Sequence, residues 1–121
     1  MKRLKYFEVA SPQWNHKDVK GRSLILFDGE HDLVTSPVEK IYKENGKLYG
    51  IETRNSLYLN KNLRRIREYD ERGKVQTGFP VDIRIDDAWY RTSDVEYQAS
   101  DNKDWEFIYT KNSLYVWRNN L

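Results

Sequence analysis

At 121 residues the chain suits a single domain, and the absence of cysteine excludes a disulfide framework or a thiolate metal centre as the source of stability. Charged residues make up 33% and would favour disorder by themselves, but 14% aromatics spread through short alternating runs predict a folded, β-rich protein with a charged surface. A net charge of +2 excludes strong non-specific polyanion binding, and no apolar run reaches the length of a membrane span or a leader peptide.

In chain order, Leu4 to Ala10 alternates aromatic, branched and charged residues and is stopped by Ser11-Pro12, which predicts a first strand. Gln13 to Lys20 is polar and reads as a loop containing Trp14 and His16. Ser23 to Phe27 is a short apolar run between glycine-bearing turns, which predicts a strand covered on both faces. The DGEHD segment, Asp28 to Asp32, gathers three acids around His31, but its spacing matches no metal-binding pattern and it reads as a solvated turn. Pro37 interrupts the following strand. Asn45-Gly46 is the strongest hairpin signal, and Lys47 to Arg54 and Leu57 to Asn60 follow as strands, with Asn55 suited to a left-handed turn position.

Lys61 to Arg72 spaces Leu63, Ile66 and Tyr69 at near-helical intervals between Asn60 or Asn62 and Gly73, which predicts one short helix, with a hairpin turning at Arg72-Gly73 as the alternative. Beyond it, Val81 to Ile85, Ala88 to Gln98, Trp105 to Tyr109 and Ser113 to Arg118 read as strands, with turns at Asp86-Asp87 and Ser100 to Lys103.

The chain contains its own near-copy. Ile51 to Leu59, IETRNSLYL, returns 57 residues later as Ile108 to Val116, IYTKNSLYV. From Thr35 to Leu59, 11 of 25 positions are identical at this offset. Chance would give about two or three, so two copies of one supersecondary unit are expected. The predicted fold is mainly β: one domain over 1–121, built from two repeated antiparallel units at roughly 19–63 and 76–121, forming a small barrel or sandwich around a shared core.

Catalytic motifs are missing: there is no glycine-rich phosphate loop, no HExxH and no nucleophile elbow, so neither a catalytic residue, a metal site nor a cofactor is expected. A metal-dependent nuclease or hydrolase is the remotest of the readings. The main expectation is a non-catalytic binding module, an inhibitor or accessory protein, in a cytoplasmic setting with a protein partner and a homodimer as one possible assembly. The alternative is nucleic-acid binding, with Lys61, Arg64, Arg65 and Arg67 on phosphates and Trp105, Phe107 and Trp117 stacking on bases. Against the alternative, Asp82 to Glu106 holds eight acidic and three basic residues, a field that favours a basic partner. In the second copy Phe107, Tyr109 and Trp117 replace Gly50, Glu52 and Asn60, so its hairpin is expected to be apolar on both faces.

Overall fold

The computed structural model describes residues 3–10, 20–44, 46–100 and 105–117. Among these residues the chain is built of strands and turns, with no helix, and therefore none long and apolar enough to cross a membrane. It divides into two compact units, residues 1–63 and 64–120.

In the first unit, β1 (Arg3–Phe7), β2 (Val9–Ala10), β3 (Ile25–Phe27), β4 (Asp32–Val34), β5 (Val38–Glu44), β6 (Lys47–Thr53) and β7 (Ser56–Asn60) form two open sheets. One has the order β1-β7-β6-β5. Its members β5, β6 and β7 are an antiparallel meander, and β1 closes on β7 in parallel, from Arg3 opposite Ser56 to Phe7 opposite Asn60. The other is the antiparallel sheet β2-β3-β4, entered at Glu8, whose N–H donates to the Phe27 carbonyl. Phe7, Leu24, Leu26, Val38, Ile51 and Tyr58 make a buried cluster.

The second unit contains β8 (Arg65–Tyr69), β9 (Glu71–Arg72), β10 (Asp82–Ile85), β11 (Ala88–Arg91), β12 (Val95–Ser100), β13 (Glu106–Thr110) and β14 (Ser113–Trp117). Its sheets have the orders β12-β13-β14-β8 and β11-β10-β9, and β8 runs parallel to β14. Its buried cluster is Tyr69, Val81, Ile83, Val95, Ile108 and Tyr115. No sheet of the described residues closes into a barrel.

Residues 65–72 correct the helix expectation. A lone 12-residue segment gains little from helical hydrogen bonds without a surface to pack on. The strand instead gains five paired positions against β14, from Arg65 opposite Ser113 to Tyr69 opposite Trp117. The alternative has the extended form right but not the turn at Arg72-Gly73. β9 reaches β10 only after residues 73–81, and the Gly73 N–H donates to the Asp82 carbonyl.

Other local expectations are sharpened. The run Ser23 to Phe27 is covered on one face only: Leu24 and Leu26 are buried while Ile25 and Phe27 are exposed. Pro37 falls in the break between β4 and β5. β5 and β6 are joined by a two-residue connection between Glu44 and Lys47; Gly46 there has φ +76°, and Asn45 lies outside the described residues, as do Trp14, His16 and the Asp101 to Lys103 part of the second turn. Neither Asn55 nor Asn112 is left-handed. Their turns are held by Thr53 and Thr110, whose hydroxyls donate to the carbonyls of Ser56 and Ser113. Asp86 and Asp87 both have positive φ, as a type I′ turn requires.

The C-terminal hairpin is apolar and buried on both faces, at Phe107, Ile108, Tyr109, Leu114, Tyr115 and Val116. The exchange of residues against the first unit is compensated across the strands. Tyr42 lies opposite Gly50, and a Cβ on Gly50 would stand 3.1 Å from the Tyr42 ring. In the second unit Ala99 lies opposite Phe107, so the large and small members of the pair have changed strands.

Candidate functional site

The residues expected to bind nucleic acid are largely occupied by the fold. The Lys61 ammonium donates to the Asp28 carbonyl at 2.8 Å and pairs with Glu8 at 3.3 Å. Arg64 donates to the Thr110 carbonyl, stands 3.5 Å from Glu96 and lies over the Tyr109 ring. Arg67 is half-buried over the Tyr90 ring, 5.3 Å from its centre, and Arg65 is exposed. Trp105 and Phe107 are 1% and 0% exposed, so neither offers a face for stacking. Trp117 alone of the three aromatics is partly open.

Trp117 borders a cavity of about 450 Å³ within the second unit, together with Tyr69, Asp70, Glu71, Arg72 and Glu106. The register of the strands assembles it. Tyr69 ends β8 directly opposite Trp117 at the end of β14, Glu106 begins β13, and Glu71 and Arg72 form β9. The Tyr69 hydroxyl and the Arg72 Nε both donate to Glu106 Oε1, and Arg72 Nη2 donates to Oε2 at 2.9 Å. Arg72 Nη1 is turned to the Gly73 carbonyl. At the margin, Asp70 accepts the Asp86 N–H at 3.2 Å, and Glu71 stands 3.6 Å from Arg84.

Burial alone would push the Glu106 carboxyl up. The hydrogen bonds from Arg72 and Tyr69 outweigh it and hold the group below the usual glutamate range. Burial, then the bond to Glu106, pushes the Tyr69 phenol far above its ordinary value, and the bond to Glu106 raises the Arg72 guanidinium. Near neutrality this triad exchanges no proton: a stabilised carboxylate is a weak base and a phenol so raised is a weak acid. Its chemistry is charge and shape. Three carboxylates and one guanidinium line a cavity with two aromatic rings, a setting that favours a cationic group.

Sequence reasoning named Trp117 and missed the other five residues. The signal that would have found them is a second offset. Arg3-Leu4-Lys5 and Phe7-Glu8 match Arg65-Ile66-Arg67 and Tyr69-Asp70 at 62 residues, and the five extra residues in the first unit's connection hide this from the 57-residue register. At the corresponding positions Phe7, Ala10, Tyr49 and Asn60 replace Tyr69, Arg72, Glu106 and Trp117, so the first unit has none of these charges.

The acidic turn is accounted for by its backbone. Asp28 Oδ1 accepts the N–H groups of Glu30 and His31 at 2.8 and 2.6 Å, and these bonds lower its pKa. No group of three or more His, Asp or Glu side chains stands ready to hold a metal ion among the described residues. No protein-family model matches the chain, and neither a curated protein nor a solved structure shows significant similarity to it.

Proposed function

We propose that the chain is a duplicated binding module without catalytic activity, whose second unit captures a basic segment of a partner protein in the cavity beside Trp117. The observation that carries the reading is the surplus of carboxylates around that aromatic-lined cavity. The mutually satisfied Tyr69, Arg72 and Glu106 form its fixed wall, and Asp70, Glu71 and Trp117 supply the field and the ring face that a lysine or arginine side chain seeks. In sequence, Asp82 to Glu106 carries eight acidic and three basic residues, Glu106 of the cavity among them.

Duplication is supported by the 11 identities at one offset and by the six matched core positions, Phe7 with Tyr69, Leu24 with Val81, Leu26 with Ile83, Val38 with Val95, Ile51 with Ile108 and Tyr58 with Tyr115. In this reading each unit is a small sandwich of a four-stranded and a three-stranded sheet. The first copy has Phe7, Ala10, Tyr49 and Asn60 at four of the six positions and retains one acid, Glu8, where the second has Asp70.

The test is titration with a short Lys/Arg-rich peptide, followed by tryptophan fluorescence. Saturable binding that is lost in Trp117→Phe by fluorescence and weakened in Glu71→Gln supports the proposal. If the peptide fails to bind while heparin retains the protein with a steep salt dependence that Arg65→Ala abolishes, the nucleic-acid alternative replaces it.

A further inference from the structure

In the second unit Glu96 of the repeated motif is paired with Arg64, but in the first unit part of the motif is not used by the fold. Thr35 and Thr92 accept the buried N–H groups of Leu24 and Val81, at 2.9 and 3.1 Å, and Thr53 and Thr110 hold the hairpin turns. Ser36, Glu39, Arg54 and Asn55 are different. Their side chains are exposed, and among the described residues they enter no hydrogen bond or ion pair. Yet the second copy repeats them as Ser93, Glu96, Lys111 and Asn112. In the first unit they border one cavity of about 700 Å³ with Lys20, and Pro37 and Val38 provide its apolar wall.

We propose that this cavity binds a carboxylate side chain of an acidic peptide segment. Lys20 and the planar fork of Arg54 provide the cations, and the Ser36 hydroxyl and Asn55 amide provide neutral donors. Glu39 leaves a lining charge of only +1, which suits a monoanion and penalises a phosphate group of nearly twice the charge. The volume far exceeds one carboxylate, so the rest of the occupant is peptide. The second copy has lost the property: Thr77 stands in place of Lys20 and Asp94 in place of Pro37, so the corresponding charges sum to −1. This site lies wholly within the first unit and shares no residue with the cavity beside Trp117, so each can fail without the other.

The experiment is an amide NMR titration of the full chain with a short peptide of alternating Glu and Gly, and separately with inorganic phosphate. The peptide is expected to produce saturable shifts at Lys20, Gly21, Ser36, Glu39, Arg54 and Asn55, without matching shifts at Thr77, Ser93, Lys111 and Asn112. Arg54→Ala should weaken binding about fivefold and Glu39→Gln should strengthen it. Both residues are exposed, and an otherwise unchanged spectrum verifies the fold of each variant. Absence of saturable shifts, equal shifts in both units, or tighter binding of phosphate than of the peptide would each overturn the assignment.

Discussion

Two carboxylates show how residue-scale chemistry separates stability from function. Glu52 is buried and accepts the Tyr42 hydroxyl at 2.6 Å. Tyr42→Phe removes that donor from a buried carboxyl group, and denaturant unfolding should register a loss of about 1–3 kcal/mol. Glu106 is held by Arg72 and Tyr69 with its pKa depressed, so its contribution is full above the ordinary glutamate value of 4.5 and is lost as pH falls through the lower folded value. A melting series from pH 7 down to about 3 should therefore show a decline that is shallower in Glu106→Gln, because that side chain has no proton to gain. An identical acid-side slope in both proteins would contradict this account of Glu106. At a position without a side chain, Gly50→Ala places a methyl 3.1 Å from the Tyr42 ring and should cost about 1–3 kcal/mol, since both faces of β6 are packed.

At the scale of the element, the two units make the same connections with the same side-chain atoms. Thr35 ties the residue before β3 to the loop before β5, and Thr92 ties the residue before β10 to the loop before β12. Thr35→Val and Thr92→Val each leave a buried N–H without its side-chain acceptor, and each should destabilise by about 1–3 kcal/mol in chemical denaturation. A neutral result at either would show that the backbone finds another acceptor. The turn at Asp86 and Asp87 is the opposite case, with φ of 48° and 68° on residues that bear a Cβ. Asp87→Gly should be neutral to stabilising by about 0.5–1 kcal/mol, measured in the same way, because glycine adopts positive φ without steric cost. Segment 65–72 shows why its type was hard to read. Its apolar residues Ile66 and Tyr69 are three apart, which suits a helix locally, and only the pairing of β8 with β14 selects the extended form.

For the molecule as a whole, the division of charge follows the division into units. Residues 1–63 hold 11 basic and 8 acidic side chains, and residues 64–120 hold 10 basic and 11 acidic ones. Each unit centres on six buried residues of matched position, so Ile51→Ala and Ile108→Ala, both at 0% exposure, should each cost about 2–5 kcal/mol in equilibrium unfolding. A small loss at one and a large loss at the other would mean that the matched clusters are not equally packed.

The amino-acid sequence by itself determined the strand-rich class, the 57-residue register and most turns, because alternation, glycine, proline and asparagine act over a few neighbours. The repeat also marked Trp117 as a changed position. Only the tertiary structure decided that 65–72 is extended, that Lys61 and Arg64 are spent on carbonyls and carboxylates, and that Trp105 and Phe107 are buried. It also decided which residues meet at the two cavities. Tyr69 and Glu106 are 37 positions apart and Lys20 and Arg54 are 34 apart, and residues so separated meet only through sheet order and register, which depend on the simultaneous packing of every strand.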